Sequence, residues 1–325
     1  MKNLVSNSLM KILTLTLIYT LFSCGGVDEM VPVFPQDGSQ EDEDTIVEYS
    51  ANLKDVYGDV KQAQILNSLS TTVEVENLLT GFENLGVNGI RITIFPEGEN
   101  QNEELFDYLH ARAKAKGFKI MANPALWDGA VRIVNKVLHG TPLDPDNQQN
   151  IGPASTLGND EATQILIDRI KEFANKYEVD YITPFNEDGS PGGRWTVAQF
   201  NTIYEELHND INGAELMGPC TWGIPSGTNV LQQTNISEYI TVATTHNLGF
   251  NHNAWNGFIN AAGDLPVWDS EVNNNAAVPD KATRLDAAID AGVDGLVLYD
   301  SWRYISLENG QLNNNGNRVK EKILE

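Results

Sequence analysis

The sequence predicts an α/β protein with the architecture of a TIM (β/α)8 barrel, and three observations support this fold class. Short apolar runs of strand type alternate eight times with helical segments along the chain. Strands joined in this way pair in parallel through right-handed crossovers, and eight such units close into a barrel. Residues 86–90 and 292–296 share a Gly-Val-Asx-Gly-aliphatic pattern, which marks the same helix-to-strand turn in units two and eight. The alternative is an open doubly wound sheet, but no GxGxxG motif follows the first strand.

Residues 1–23 are predicted to be a lipoprotein signal peptide. Lys2 and Lys11 precede the apolar run 12–22, which is too short to span a bilayer and is typical of a secretory signal. The run ends in Leu-Phe-Ser-Cys at 21–24, which resembles the lipobox of bacterial lipoproteins. The resemblance implies cleavage before Cys24 and lipidation of this cysteine, which anchors a protein without a spanning helix. An ordinary signal peptide is the alternative.

Residues 24–45 are predicted to form a flexible acidic linker. Pro, Gly and the acidic run 41–44 cannot bury enough apolar surface to order this segment. An acidic stretch soon after a lipidated cysteine also resembles the export signal of surface-displayed lipoproteins in Gram-negative bacteria, although a solvated spacer has the same composition. We therefore expect a lipid anchor in the outer membrane, facing the cell surface or, alternatively, the periplasm.

Residues 46–325 are predicted to be one barrel domain. Removing the first 23 of the 325 residues leaves 302, which suits a single barrel, and we expect a monomer. The net charge of −24 argues against nucleic acid as a partner, because nucleic-acid binding needs stripes of Lys and Arg. Cys220 is predicted to be a small buried hydrophobe. The five His residues show no metal-ligand spacing, so we expect no metal and no cofactor.

Within the barrel, apolar runs predict the strands and helical spacing predicts the helices. Gly86, Gly117 and Gly292 stand where helices end, and Asn102 is a predicted N-cap. The predicted strands are 63–66, 89–95, 118–122, 179–185, 215–220, 248–251, 266–271 and 295–299. The predicted helices are 72–85, 103–116, 161–177, 197–211, 236–246, 258–263 and 282–291. The remaining long tract, 127–159, is rich in Gly, Pro, Asn and Asp and is predicted to be a functional loop.

Two glutamates end predicted strands. Glu187 follows Asn186 at the end of strand four, and Glu271 ends strand seven, 84 residues later. In a parallel barrel all strand carboxyl ends open on one face, where sites are built. Two carboxylates that face each other there can supply an acid and a nucleophile for cleavage of a glycosidic bond. The alternative interpretation is that both are surface residues at strand ends.

This arrangement resembles the clan A glycoside hydrolases, which are retaining enzymes with a (β/α)8 barrel. In that clan the acid/base ends strand four after an Asn, and the nucleophile ends strand seven. The resemblance implies that Glu187 is the acid/base, that Glu271 is the nucleophile, and that Asn186 donates to the sugar 2-hydroxyl. Many members continue with Pro after the Asn-Glu pair, whereas this chain has Asp188 and Gly189.

Further roles follow from the same resemblance. Arg91 falls at the second-strand arginine that holds the nucleophile ionised, and a buried salt bridge of the barrel is its alternative role. His252 lies near the strand-six His or Tyr that orients the nucleophile, although a structural role is as common for a single His. Trp302, just after strand eight, matches the platform under the sugar at the cleavage point.

Aromatic residues indicate a chain-shaped substrate. Five of the six tryptophans follow predicted strand ends, and their rings offer apolar faces to pyranose rings. Besides Trp302 we expect substrate contacts from Trp127, Trp222 and Trp255. Arg194 and Arg303 lie in the same loops and are candidates to bind a sulfate or uronate, or are plain surface residues.

The function predicted from these residues is endo-acting hydrolysis of a β-linked polysaccharide by a retaining double displacement. The alternative from another class is a non-catalytic, surface glycan-binding lipoprotein on a degenerate barrel, which has no need of two carboxylates at strands four and seven. Within the enzyme class, an inverting mechanism that uses Asp269 or Asp300 is a further alternative.

Overall fold

The structure, a computed structural model, describes residues 49–50, 52–61, 69–142, 160–189 and 191–324. Eight parallel strands pair in sequence order into a closed barrel, which confirms the predicted fold class. The strands are β1 (Asp55–Asp59), β2 (Gly89–Ile94), β3 (Lys119–Pro124), β4 (Tyr181–Ile182), β5 (Glu215–Thr221), β6 (Val242–Thr245), β7 (Val267–Val272) and β8 (Gly295–Leu298). The signal peptide, the linker and Cys24 lie outside the described residues.

The α-helices of the described residues lie around the outside of the barrel and in the segments that connect its strands. They are α1 (Thr72–Leu85), α2 (Glu103–Ala115), α3 (Gly129–His139), α4 (Asp160–Lys176), α5 (Val197–Leu207), α6 (Ile224–Gln233), α7 (Trp255–Ala262), α8 (Arg284–Ala291) and α9 (Asn314–Leu324). Among them, none combines the length and the apolar character that crossing a bilayer needs.

Strand β2 shows how the sequence separates the inside of the barrel from its outside. Ile90, Ile92 and Ile94 pack in the main hydrophobic core between strands and helices. Arg91 and Thr93 alternate with them, are equally buried, and make polar contacts with residues of β1, β7 and the chain after β1. Because side chains alternate along a strand, one apolar face anchors β2 while the other brings polar groups inside the barrel.

The barrel interior near the amino ends of the strands is filled by large apolar side chains. Tyr57 and Trp268 lie there with their ring centroids 5.0 Å apart, in a cluster with Met121, Met217, Val242 and Val297. Glycines make room for the rings: a Cβ at Gly89 would lie 2.3 Å from the Tyr57 ring, and one at Gly295 would lie 2.4 Å from the Trp268 ring. The polar and charged residues inside the barrel therefore lie toward the carboxyl ends of the strands.

Two predicted strands are wrong. The first barrel strand is β1 rather than 63–66, which falls in a tract outside the described residues. The sixth is β6 rather than 248–251, and it occupies part of the predicted helix 236–246. Four β-branched residues among the five at 241–245 favour a strand there, while the helix of this unit, α6, begins earlier with Pro225 in its first turn. The residue that follows the sixth strand is therefore His246.

The tract predicted as a long loop contains a helix. Residues 129–139 form α3, and 143–159 lie outside the described residues. Strand β4 is shorter than predicted, with two residues instead of seven. The chain after it, through Glu187, leaves the ladder and is held by a hydrogen bond from the Glu187 N–H to the Cys220 carbonyl at 2.9 Å.

Candidate active site

The structure brings Glu187 and Glu271 together at the carboxyl ends of the strands. A carboxylate oxygen of each and a ring nitrogen of His246 all lie within 4.8 Å of one another. The Glu271 side chain is 6% exposed and that of Glu187 is 10% exposed. Two carboxylates from chain positions 84 residues apart therefore share one small, nearly buried space.

Glu271 is surrounded by cations. Its Oε2 lies 3.0 Å from Arg91 Nη1 and 3.3 Å from Lys61 Nζ. Arg91 also pairs with the buried Asp59 at 2.9 Å. Burial by itself raises the pKa of Glu271, but the positive charges of Lys61, His246 and Arg91 outweigh burial and hold this pKa well below its usual value. The Glu271 carboxylate is thus kept ionised.

His246 lies between the two glutamates. Its Nδ1 is 3.5 Å from Glu187 Oε1 and 3.9 Å from Glu271 Oε2, and its Nε2 is 3.3 Å from the Cys220 sulfur. Burial alone lowers the pKa of His246, but Cys220 and the carboxylates raise it to about 10. His246 is thus protonated at neutral pH and adds a positive charge beside both glutamates.

The histidine against the glutamates is His246, and the predicted role of His252 beside the nucleophile is wrong. His252 opens a short 3-10 helix, His252–Ala254, and its Nδ1 bonds with the Asn247 side chain at 2.8 Å. The misplaced sixth strand caused this error, since the residue directly after β6 is His246. The structure therefore moves the strand-six position from His252 to His246.

The side-chain oxygen of Asn186 accepts hydrogen bonds from the chain after β1 and from strand β3. Asn186 Oδ1 accepts from Lys61 Nζ at 3.0 Å and from Asn123 Nδ2 at 2.8 Å. Its Nδ2 donates to the Leu126 carbonyl. Lys61 therefore contacts both Asn186 and Glu271, and it joins the segments that carry the two glutamates.

Cys220 is buried, as predicted, but it is not surrounded by apolar groups alone. Its sulfur lies 3.6 Å from Asn123 Nδ2 and 3.5 Å from Ser270 Oγ, besides its contact with His246. Burial raises the pKa of the Cys220 thiol, yet the charge and hydrogen bond of His246 lower it overall. The residue belongs to the polar centre beneath the glutamates.

The tryptophans that follow predicted strands are exposed, half-buried or fully buried. Trp222, after β5, is 48% exposed, whereas Trp127 and Trp302 are half-buried. Trp302 donates from Nε1 to Asp300 at 3.2 Å, and Arg132 lies over the Trp127 ring at 4.3 Å. Trp255 is buried in the core against Phe258, so the prediction that Trp255 contacts substrate is wrong. Trp195, which also follows a predicted strand, is buried as well.

The two loop arginines pair with neighbouring carboxylates. Arg194 Nε lies 3.2 Å from Asp128 Oδ1, and Arg303 Nε lies 3.0 Å from Asp300 Oδ2. Arg303 also lies over the Trp302 ring at 4.7 Å. Their charges are therefore balanced within the protein, which disfavours a role in binding a sulfate or a uronate.

The spacing of Glu187, His246 and Glu271 would allow a metal ion to bind, but the chemistry of these donors opposes it. A divalent cation needs neutral imidazole and carboxylates that are free to coordinate. The raised pKa of His246 and the cations Lys61 and Arg91 beside Glu271 oppose the addition of a further positive charge there. The arrangement suits chemistry of the carboxylates themselves.

Fold and site together define the chain as a (β/α)8-barrel protein with a carboxylate pair at the carboxyl ends of its strands. No protein-family model matches the sequence, and no curated protein matches it. A GH5_18 protein from Streptomyces cattleya, solved in complex with Manβ1-4GlcNAc, matches with a TM-score of 0.55 and 13% identity, covering 84% of this chain and 80% of that chain. The catalytic domain of β-amylase from Paenibacillus polymyxa matches with a TM-score of 0.53 and 12% identity, covering 84% and 99%.

A β-glucuronidase from Ruminococcus gnavus also matches, with a TM-score of 0.53 and 10% identity; 84% of this chain covers 50% of that longer chain. The matched proteins are glycoside hydrolases, and at these identities the likeness is one of fold. The chain therefore shares the eight-stranded parallel barrel of these glycoside hydrolases.

Proposed function

We propose that the protein is a glycoside hydrolase that cleaves a β-linked polysaccharide by a retaining double displacement. The observation that carries the proposal is the carboxylate pair, Glu187 and Glu271, with oxygens within 4.8 Å of each other. Retaining enzymes hold their carboxyl groups roughly 5–5.5 Å apart, whereas inverting enzymes leave about 6.5–9.5 Å for a water molecule. The short separation therefore supports direct attack by one carboxylate.

In the proposed mechanism Glu271 is the nucleophile and Glu187 the acid/base. Glu271 attacks the anomeric carbon, while Glu187 donates a proton to the glycosidic oxygen as that bond breaks. The resulting glycosyl-enzyme is then attacked by water, which Glu187 deprotonates as a base, and Glu271 leaves as a carboxylate. The low pKa of Glu271 supports its role, because only the ionised form attacks.

The surrounding residues support the same assignment. Arg91 and Lys61 keep Glu271 charged and hold its Oε2, leaving the other carboxylate oxygen for attack. His246 takes the role that the sequence analysis gave to His252, because it contacts Glu271 from the end of β6. Asn186 is fully buried and its Nδ2 donates one hydrogen to the Leu126 carbonyl, so the proposed hydrogen bond to the sugar 2-hydroxyl would use its second amide hydrogen.

A chain-shaped, uncharged substrate fits the rim. Trp302 follows β8, next to the strand of Glu271, and Trp222 follows β5, next to the strand of Glu187. One platform thus stands on each side of the pair, which suits a sugar chain that extends on both sides of the cleaved bond and hence endo action. Arg194 and Arg303, being paired with aspartates, favour neutral sugars.

The alternatives from the sequence have less support. Asp269 accepts a hydrogen bond from the Glu271 N–H at 3.2 Å and is fully buried, and Asp300 pairs with Arg303 and Trp302. The carboxylate whose close approach to Glu187 is observed is that of Glu271, so the pair supports the retaining mechanism over an inverting one through either aspartate. A pure glycan-binding protein does not require a cation-stabilised carboxylate beside a second one.

The test measures hydrolysis of a panel of labelled β-linked polysaccharides by wild type, Glu271→Ala and Glu187→Gln. We expect wild type to release oligosaccharides with retained anomeric configuration, as read by NMR. Glu271→Ala should lose turnover, and azide should restore bond cleavage as a glycosyl azide of inverted configuration. Glu187→Gln should lose about 10²–10⁴-fold on unactivated substrates.

Glu215→Gln is the matched control, because Glu215 is an exposed residue at the amino end of β5. It should keep wild-type turnover. Binding of a glycan by wild type without cleavage would favour the glycan-binding alternative, and inverted products would favour the inverting one. Turnover that survives both glutamate changes would refute the assignment of the pair.

A further inference from the structure

The residue after the proposed acid/base, Asp188, is buried and bonded on both carboxylate oxygens. Oδ1 accepts hydrogen bonds from the Val131 N–H at 3.0 Å and from Trp195 Nε1 at 3.3 Å. Oδ2 accepts from the N–H groups of Ala130 at 3.1 Å and Asn186 at 2.9 Å. A single side chain thus connects three separate parts of the chain.

Two of these donors belong to the first turn of α3. The first N–H groups of a helix have no partner within the helix and carry partial positive charge, so a carboxylate from elsewhere satisfies them. Burial and the nearby Asp128 raise the pKa of Asp188 to about 7, while the backbone hydrogen bonds oppose this rise. The contact therefore joins α3 to the chain that follows β4.

A second set of bonds reinforces this connection around Trp127. The Gly129 N–H donates to the Asn186 carbonyl at 3.0 Å, and Asn186 Nδ2 donates to the Leu126 carbonyl. Leu126 and Asp128, on either side of Trp127, have φ angles of 59° and 50°, in the left-handed region that Asp tolerates but that is unfavourable for Leu. Such a backbone persists where the surrounding contacts fix it.

Glu187 lies within the same set of contacts. Its own φ is 63°, and its N–H is bound to the Cys220 carbonyl at 2.9 Å. Both of its chain neighbours, Asn186 and Asp188, are bonded to the segment that begins α3. The direction of the Glu187 side chain is therefore set through its neighbours.

We propose that Asp188 is a positioning residue, which joins the start of α3 to the chain on both sides of Glu187 and so fixes the Glu187 carboxyl relative to Glu271 and to Trp127. This inference rests on the proposed function and adds to it a residue that the clan resemblance does not supply, since many clan members have Pro at this position. Proton donation to the leaving group is the step that depends on such placement.

The experiment compares Asp188→Asn with wild type on two substrates of the same sugar. One is the polysaccharide that the panel identifies, and the other is a dinitrophenyl glycoside, whose leaving group departs without a proton. Because each Asp188 carboxylate oxygen accepts two N–H groups, the Asn Nδ2 faces two donors that it cannot accept from, whichever oxygen it replaces. We expect kcat/KM on the polysaccharide to fall roughly 10- to 100-fold, since small misplacements of a catalytic group cost this much. On the dinitrophenyl glycoside it should change less than about threefold, because kcat/KM there needs no acid.

Two further variants complete the design. Asp180→Asn is the matched control, because Asp180 Oδ2 also accepts a backbone N–H, that of Ile120 at 2.7 Å, but just before β4, at its other end. It should lower both rates alike or leave both unchanged. Trp195→Phe removes one donor to Asp188 and keeps the carboxylate, so its selective loss should be smaller; it decides the question if Asp188→Asn does not fold.

The outcomes separate this inference from the proposed function. Equal losses on both substrates, or an unchanged rate on the polysaccharide in folded protein, would overturn the role of Asp188 while leaving the hydrolase intact. Absence of cleavage by wild type and Asp180→Asn alike would instead remove the proposed function, and the role of Asp188 with it.

Discussion

The charge of Glu271 depends on single residues, and Lys61 is the one that can be changed with least disturbance. Arg91 also holds Asp59, so its removal leaves a second buried carboxylate without a partner. Lys61 contacts Glu271 and Asn186, and Asn186 Oδ1 keeps its bond from Asn123 when Lys61 is replaced. Lys61 therefore offers a test of the electrostatic part of the proposal.

Replacing Lys61 by Met should move the acidic limb of the kcat/KM profile to higher pH. The pKa of Glu271 is held low in part by Lys61, and the protonated form does not attack, so raising this pKa ends activity at a higher pH on the acidic side. We expect a shift of about one unit or more. The measurement is a pH–rate profile on the substrate that the panel identifies.

Lys54→Met is the control for this change. Lys54 is exposed and pairs with Asp294 at 2.9 Å, just before β1 at the amino end of that strand. Its profile should coincide with that of wild type. An acidic limb unmoved by Lys61→Met would mean that Arg91 and His246 alone keep Glu271 ionised.

Residues of the site differ in how well the sequence indicated them. Glu187, Glu271 and Arg91 follow or lie in β4, β7 and β2, which were located correctly in the chain although β4 is shorter than predicted, and the structure brings the three residues together. Lys61 and His246 were missed, and each stands within two residues of the end of a strand that was misplaced, β1 or β6. Polar residues that follow strands do build the site. Lys61 and His246 were therefore missed because β1 and β6 were predicted at the wrong positions in the sequence.

At the scale of elements, the strands depend on close packing between glycines and aromatic rings. Strand β8 begins with Gly295, which lies against the Trp268 ring of β7, and β2 begins with Gly89 against the Tyr57 ring of β1. These rings fill the barrel at the amino ends of the strands. The packing supports the barrel far from the glutamates.

Replacing Gly295 by Ala should destabilise the fold without touching the chemistry. The added methyl group would lie 2.4 Å from the Trp268 ring, which must move or push the strands apart. We expect a loss of about 1–3 kcal/mol in the free energy of unfolding, measured by urea denaturation. Activity of the folded variant should be unchanged.

Gly257→Ala is the matched control. Gly257 lies in α7, and a Cβ there meets nothing within 4 Å. The change should stabilise the protein by up to about 1 kcal/mol, because alanine loses less entropy than glycine in a helix. If Gly295→Ala were as stable as Gly257→Ala, the ring contact would not constrain β8.

The prediction of secondary structure succeeded where a tract has either a helical or a strand pattern, and it failed where one tract has both. Strand β2 and helix α1 have unmixed patterns, and both were placed within one residue. The tract 236–246 combines helical spacing with the β-branched residues of β6, and pairing with β5 and β7 decides for the strand. β1 was missed because Asp55, Gly58 and Asp59 interrupt its apolar pattern.

At the scale of the whole molecule, we propose that a lipid anchor precedes the barrel in the chain. The proposal of a lipid anchor at Cys24 rests on the apolar run and the lipobox-like residues that precede it. The net charge of −24 opposes binding to an anionic membrane surface by charge alone, so attachment would depend on the lipid. An outer-membrane enzyme that faces the cell surface is the arrangement we propose.

Replacing Cys24 by Ala should release the protein from the membrane. With no thiol to acylate, labelled palmitate should not be incorporated, and fractionation should recover the protein in the soluble fraction. Cys220→Ser is the control, since Cys220 is the other of the two cysteines and should leave labelling intact. Labelling that persists in Cys24→Ala would contradict the proposed site.

The sequence by itself determined the barrel and the two glutamates of its site. Periodic apolar residues specify strands and helices locally, and eight repeats of strand and helix leave few ways to bury them other than a closed barrel. Glu187 and Glu271 could be found because each directly follows a strong local pattern. The same local information could not show which other residues lie beside them.

Only the tertiary structure decided the environment of Glu271. Arg91, Lys61 and His246 come from three different strands or strand ends, 180, 210 and 25 residues away in sequence, and closure of the barrel brings them to one carboxylate. The interaction of these charges depends on distance and burial in space rather than on sequence separation. The charge state of Glu271, and with it the chemistry we propose, is a property of the folded barrel.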